Sequence, residues 1–444
     1  MRQPTLEPPS SSLPRTLGLG TATALIIGEV VAIGIFLTPA SMAKSLAAPG
    51  LTLGVWLGMG VMTLCGALCY GELASRHPEA GGGYAYLREG LGRPLAFLYG
   101  WMSLVVMDPG ITAALAVGLA SYLGYLVDLS PGATKAVAVL AIALLAWVNI
   151  RGATIGAGVV RGLTILKLGF LAFIVLWGLG RGLGDWSNLL PLATRTPGAD
   201  PLLPALAGGI VAAFFSFGGW WDLAKVAGEV RDPARTLPRA LAWGVMTVTL
   251  VYMVTTVVFL YLVPLEQVTT GETFAAQAGE VLFGPIGGTI FAGIVIVAIL
   301  GSLAALLMAS PRVYFAMARD GLFFSSVATL HPRFGTPARA IAIQAALASL
   351  LVAVGSFEAI VSYFIFVVVI FLGLTVVALL RMRRADPGGT AFLTPGWPWT
   401  PAIFLALTLL MLVLLGAGSP GPSLLGTVIV ALGLPVYFST FGRP

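Results

Sequence analysis

Three ionisable side chains lie inside stretches of this chain that are otherwise apolar. Glu29 falls in GEVVAIGIFLTPA, Asp108 stands just before Pro109-Gly110, and Lys167 is embedded in RGLTILKLGFLAFIV. A charge at membrane depth is expensive, so such residues mark substrate or ion pathways, or pair with one another or with backbone carbonyls. Lys167 has no acid one helical turn away, so its partner must come from another segment: Glu29, Asp108 or carbonyls freed by a helix break. Six residues separate it from Arg161, about 9 Å along a helix, a depth that favours an internal partner, with snorkelling to the cytoplasmic interface as the alternative. Ser302, in LGSLAALLMASPRVYFAMARDGLF, offers a hydroxyl to an ion or a lysine, or to its own helix carbonyl. For Glu29 and Asp108, a structural polar contact and a part in transport both remain open.

Two glycine interruptions supply the other chemistry. In AFFSFGGWWDLAKVAGEVRDPARTLP, Ala213 to Pro238, the pair Gly218-Gly219 separates Phe214, Phe215 and Phe217 from Trp220 and Trp221. Each glycine costs about 1 kcal/mol relative to alanine inside a helix. A break at membrane depth survives only where the freed backbone groups face protein, a ligand or water. Discontinuous helices of this kind form substrate sites near the bilayer midplane. Gly34, followed by Ile35-Phe36 and Thr38-Pro39, is a counterpart in the first apolar segment. Alone it also fits close helix packing; paired with Gly218-Gly219 it predicts a two-helix substrate cradle.

The elements that must position these residues follow from composition. Of 444 residues, 58% are hydrophobic and 9% charged, with mean hydropathy +0.97, against about 25% charged in soluble domains. Spanning helices need about 20 apolar residues, and twelve windows qualify. They run over 17–38, 51–74, 95–127, 134–150, 157–180, 203–227, 239–263, 284–315, 338–355, 358–380, 400–417 and 422–440. With the N-terminus inside, nineteen of the 24 Lys and Arg residues fall on the cytoplasmic side. Lys44, Lys135, Arg181 and Arg195 fall outside, and Lys167 within a span. That bias orients the chain with both termini cytoplasmic. It also accounts for the net charge of +6 without a nucleic-acid partner.

The two breaks are five spans apart, so their helices run in opposite senses, as an inverted repeat requires. The expected organisation is a disordered cytoplasmic tail over 1–16, a core over 17–380 built of spans one to five and six to ten, and two appended spans over 400–440. No cleavable signal peptide is evident. The loop between spans two and three, with Gly81-Gly82-Gly83, lacks the strand and lysine of a phosphate loop. It reads as a hinge before a short interfacial helix with Tyr84 and Tyr86 near the headgroups. His77 reads as a solvated loop residue, and Cys65 and Cys69 as packed small residues. Ala227–Ala240 reads as a basic cytoplasmic connection, and Lys225 just before it counts with the cytoplasmic charges. The external loop with Glu266, Glu272 and Glu280 reads as a polar lid or connector.

These segments together resemble the amino acid–polyamine–organocation (APC) superfamily, and within it bacterial relatives of the L-type amino acid transporters. VAIGIFLTPA, FFSFGGWWDLAKVAGEVRDPARTLPRAL and LGSLAALLMASPRVYFAMARDGLF carry the resemblance, which extends over essentially the whole chain. It implies an all-α membrane protein of twelve transmembrane helices with a five-plus-five inverted repeat (LeuT-like) and broken helices 1 and 6. It further implies that backbone at Ala32, Ile33 and Gly34 receives a substrate carboxylate. Carbonyls near Phe214, Phe215 and Phe217, with Ser216 and Gly218 beside them, would receive the ammonium, and Phe215 would gate the external path. Lys167 matches a span-five lysine whose ammonium occupies the place that a sodium ion takes in sodium-coupled relatives, near the broken first span and Ser302. The family commonly has Gly-Ser/Thr-Gly where this chain has Ala32-Ile33-Gly34, and a neutral residue at the place of Glu29. Mammalian members bind a partner through a cysteine between spans three and four; none occurs there, so no disulfide-linked partner is expected.

The expected function is therefore sodium-independent secondary transport of an amino acid by alternating access in the cytoplasmic membrane, as exchanger or proton symporter, with no cofactor or metal. A polyamine or other organic-cation carrier is the alternative, favoured if Glu29 and Asp108 both face the cavity. An enzyme lacks a basis, because the spans hold no His/Glu/Asp cluster and no Ser–His arrangement. A passive channel is the remaining, remote reading.

Overall fold

A computed structural model describes residues 13–32, 34–196, 199, 201–268, 274–354, 357–418 and 420–441. Ile33, Glu272 and most of the expected N-terminal tail therefore lie outside the described residues. Those that are described form helices, with no strand beyond an isolated bridge between Leu17 and Val230. Ten of the helices are long and apolar enough to cross a membrane. The shorter Leu19–Val30 and Ala338–Val354 occupy the first and ninth expected positions.

The first span is two helices, α1 (Leu19–Val30) and α2 (Gly34–Leu46), with the first ending at Val31. The expected end at 38 falls short, because α2 carries Pro39 internally and continues to Leu46, placing Lys44 in its last turn. Next come α3 (Pro49–Arg76) and the short α4 (Gly83–Leu91). The third span joins α5 (Arg93–Met102) to α6 (Asp108–Val127) through a widened π turn at Ser103–Met107. Pro109 explains that turn: it has no N–H for the carbonyl four residues back, and its ring crowds that carbonyl. The turn sets Asp108 at the start of α6. The fourth and fifth spans are α7 (Pro131–Ile150) and α8 (Ala153–Gly180).

The sixth span runs as α9 (Leu202–Phe217), then Gly218-Gly219, then a tight 3-10 helix at Trp220–Glu229. Gly219 adopts φ +105°, a left-handed conformation that other residues rarely take. The remainder comprises α10 (Pro233–Leu262), α11 (Phe274–Phe283), α12 (Gly287–Ala309) with α13 (Pro311–Arg319), α14 (Ala338–Val354), α15 (Phe357–Ala385), α16 (Trp399–Gly418) and α17 (Pro420–Ala431), ending in α18 (Gly433–Val436). The helix α11 stands in the connection expected to be a lid or connector and carries Glu280.

Packing places the breaks at the centre. The half-helix α1 lies against α8, α10 and α12, and α2 lies along α9. Outward faces keep apolar side chains exposed, among them Leu140, Leu176, Trp243, Leu250, Leu350 and Leu409. Such a surface suits lipid rather than water. Two loop expectations are corrected. Tyr84 and Tyr86 are fully buried rather than interfacial: α4 folds inward, Tyr84 Oη donates to Asp320 at 2.8 Å, and Tyr86 packs edge-on to Tyr70. The glycines permit this, since a Cβ on Gly82 would lie 2.9 Å from the Lys225 backbone nitrogen. Lys225 is likewise fully buried rather than on the cytoplasmic connection, because two carboxylates compensate its charge. His77 caps the end of α3 half-buried, and that burial pushes its imidazole below the ordinary value.

Candidate functional site

A cavity of about 80 Å³ lies where the two broken helices cross. Val30, Ala32 and Gly34 border it from the first span, and Phe214, Phe215, Ser216, Gly218 and Gly219 from the sixth. Their proximity depends on glycine. A Cβ built on Gly34 would meet the Cα of Ser216 at 2.8 Å, so only a residue without a side chain lets the chains approach so closely. Thr38 and Ser216 share a hydroxyl–hydroxyl bond of 2.8 Å just beside this contact.

The backbone groups freed by the breaks have identifiable partners, as buried polar groups require. Tyr252 Oη, on α10, lies 2.8 Å from both the Val30 and the Ser216 carbonyl oxygens, and its single proton serves the two. Lys167 Nζ reaches the carbonyls of Gly28 (2.7 Å), Val31 (2.6 Å) and Ala298 (3.0 Å), and Ser302 Oγ at 3.2 Å. Four acceptors around three N–H donors suit the charged ammonium. Of the three candidate partners for Lys167, backbone carbonyls of the broken helix are therefore its ligands. Ser302 in turn donates to Gly28 O at 2.7 Å. Lys167 is fully buried, not snorkelling.

A second polar cluster adjoins the cavity. Lys225 Nζ lies 2.9 Å from Asp108 Oδ1 and 2.9 Å from Asp222 Oδ1, with all three side chains buried. Asp108 Oδ2 also accepts from Ser103 and, at 2.8 Å, from Tyr314. Glu29 and Asp222 face each other as carboxyls within hydrogen-bonding reach, and both border the cavity. A third buried pair, Arg312 with Glu229 at 2.6 Å, ties α13 to the end of the sixth span. No group of three or more metal-ligating side chains occurs among the described residues.

The expected site residues thus divide. Ala32, Gly34, Phe214, Phe215, Ser216, Gly218 and Glu29 converge on the cavity. Lys167 and Ser302 stand behind the first break, holding its carbonyls. Asp108 is turned to Lys225 and does not border the cavity, so the condition set for an organic-cation carrier is half met. The Phe217 ring packs away from the cavity, against Trp56 (ring centroids 6.1 Å) and Tyr252 (5.2 Å), whereas the expectation for this residue concerned its backbone carbonyl. Successive helical residues turn by about 100°, so four consecutive positions cannot share one face. Sequence reasoning missed Trp221 and Asp222, and the apolar wall of Ile111, Leu115, Leu306, Ile365 and Val368. The signal for Asp222 was present, as an acid three residues before a lysine within the same apolar window.

Comparison with known proteins agrees with this geometry. A family described as "Amino acid permease" matches residues 17–441. The serine/threonine exchanger SteT of Bacillus subtilis is 31% identical over 435 residues, covering 96% of this chain and 97% of its own. The large neutral amino acids transporter small subunit 2 of Mus musculus is 28% identical, covering 96% of this chain and 81% of its own. The Asc-type amino acid transporter 1 of Mus musculus is 27% identical with the same two coverages.

Proposed function

The chain belongs to the amino acid permease family, and from that premise we propose that it moves a small L-amino acid by alternating access, without sodium, across the cytoplasmic membrane. It is a multi-pass membrane transporter, not an enzyme. The observation that carries the reading is the cavity bordered by Ala32 and Gly34 on one side and by Phe214, Phe215, Ser216, Gly218 and Gly219 on the other. The first turn of α2 offers N–H groups without intrahelical partners to a carboxylate, where the helix dipole favours negative charge. The carbonyl end of α9 offers the opposite polarity to an ammonium. Phe215, half-buried at the cavity wall, is the gate in this reading. Ile33 completes the carboxylate site in the sequence pattern. The modest volume favours a small side chain, and the serine/threonine exchange of the Bacillus relative is of that size class.

Sodium independence rests on Lys167. Its ammonium engages four oxygens behind the first break, where a monovalent cation would otherwise be coordinated. Spans one to ten form the transporting unit in this reading. The last two spans pack outside it, α16 on α3 and α15, and α17 on α15 and α5. Both termini are cytoplasmic, an orientation supported by the Lys and Arg distribution even after buried Lys225 is set aside. Within the described residues the third-to-fourth-span connection has no cysteine, which supports a chain acting without a disulfide-linked partner.

A thermal-shift screen of amino acids on purified protein tests the reading, since occupancy stabilises by mass action. Counterflow of the hits in sodium-free and sodium-containing liposomes follows. A small L-amino acid should raise the melting temperature and exchange equally in both. Stabilisation by amines alone, or uptake needing sodium, would overturn it.

A further inference from the structure

The ionic cluster beside the cavity does not balance. Glu29, Asp222 and Asp108 bring three carboxyl groups, and Lys225 brings one ammonium. Lys167, held by the carbonyls of Gly28, Val31 and Ala298 behind the first break, brings a second ammonium. The other titratable groups facing this cluster are tyrosines: Tyr70 on α3, Tyr99 on α5 and Tyr314 on α13. Arg312 is committed to Glu229. Two lysines against three carboxylates leave one negative charge over, in a region where uncompensated charge is strongly disfavoured.

Geometry shows where the missing charge belongs. The carboxyls of Glu29 and Asp222 come within hydrogen-bonding reach of each other. Two ionised carboxylates would repel at that separation, whereas two carboxyls holding one proton between them form a stable contact. Asp108 is already engaged by Lys225, Ser103 and Tyr314.

We propose that the Glu29–Asp222 pair is a proton-binding site that loads and unloads in each transport cycle, making the chain a proton-coupled carrier. The inference rests on the amino-acid transport reading and specifies its coupling. Both carboxyls border the cavity, so water entering with the substrate reaches them. Only an O–H bond forms and breaks: a proton is taken from water on one side and returned to water on the other. The pair also joins the two breaks mechanically. Glu29 Cγ lies 2.7 Å from where a Cβ on Gly219 would stand, so this carboxyl is wedged against the left-handed glycine of the sixth span. Loss of the proton sets like charges against each other beside Gly219 and disfavours the arrangement of the two breaks described here. Binding of substrate and proton would thus favour the same packing of the two broken helices.

The test uses the full-length protein in liposomes with an entrapped pH dye and the membrane potential clamped. L-Serine, L-alanine, L-leucine and L-lysine are each added outside, and counterflow is measured on the same preparation. For an amino acid that shows counterflow, its entry should acidify the lumen with about one proton per molecule. An inside-alkaline gradient of one pH unit should then drive about tenfold accumulation, the value for one-to-one coupling. Glu29→Gln and Asp222→Asn should each lower the ratio of acidification to counterflow at least about tenfold. Counterflow by the wild type with no acidification overturns the proposal and leaves the transport reading intact. Entry of L-lysine that Glu29→Gln abolishes, with no proton movement, makes the pair a cation subsite and also overturns it. Absence of counterflow for every amino acid overturns the transport reading itself.

Discussion

The Lys167 ammonium lies 2.6 Å from the carbonyl oxygen of Val31, the residue at which the first span stops being helical. One charged side chain thereby supplies donors to backbone groups that the helix can no longer serve. Lys167→Ala removes those donors and should reduce uptake in proteoliposomes to a few per cent of wild type or less. Fluorescence-detected size exclusion should still show inserted, monodisperse protein. Near wild-type uptake by the variant would refute the role.

Tyr252 holds the two breaks to one another through a single hydroxyl. Tyr252→Phe keeps the ring, its edge contact with Trp56 (centroids 5.0 Å) and its contact with Phe217, but removes the hydroxyl donor from the Ser216 carbonyl, while Val30 O keeps the Ala32 N–H at 2.8 Å. The cost of unsatisfied groups of this kind is about 1–3 kcal/mol. The melting temperature should fall measurably and transport should drop severalfold. An unchanged melting temperature would mean that water replaces the phenol.

Phe215 and Phe259 separate gating from packing. Phe215 is half-buried at the cavity, whereas Phe259 is wholly buried in α10. Phe259→Ala should lose about 3–5 kcal/mol of stability, the usual cost of emptying a core aromatic site. Phe215→Ala should keep most of the stability and lose more transport per folded molecule. Equal transport by the two variants, normalised to folded protein, would argue against the gate.

The Glu229–Arg312 pair is buried on both sides, and among the described residues Glu229 Oε2 and Arg312 Nη1 have no hydrogen-bond partner. Breaking such a pair by removing one charge costs about 3–5 kcal/mol, because the survivor is left uncompensated. Glu229→Gln should therefore destabilise strongly in thermal unfolding. The double variant Glu229→Leu/Arg312→Met should recover much of the loss. A double variant no more stable than the single one would show that shape, rather than charge, sets the junction.

What the sequence disclosed and what it withheld have physical reasons. Apolar windows and the Lys/Arg bias encode spans locally, so the twelve segments were readable. Gly34 and Gly218-Gly219 were readable because glycine weakens a helix wherever it falls, and bulky neighbours make the weak point stand out. The ligands of Lys167 were narrowed to three but not chosen, since Gly28, Val31 and Ala298 act through backbone that no side-chain type reveals. Asp108 and Lys225 are 117 positions apart, and the fold alone brings them to 2.9 Å. The end of the first span was misplaced because Thr38-Pro39 resembles a terminus, yet the helix carries the proline onward to Leu46.

At the other end of the broken helices, the backbone N–H groups of Thr16 and Leu17 bond the Glu229 carbonyl at 2.8 and 2.9 Å. Arg231 N–H returns a bond to Leu17 O at 2.8 Å. The start of the first span is thus stitched to the tail of the sixth, while both spans are hinged at mid-depth. Two half-helices joined at their outer tips swing as one lever. Whatever tilts Trp220–Glu229 must carry α1 with it, so the cradle opens on that side as a single rigid flap and cannot be pried apart one strut at a time.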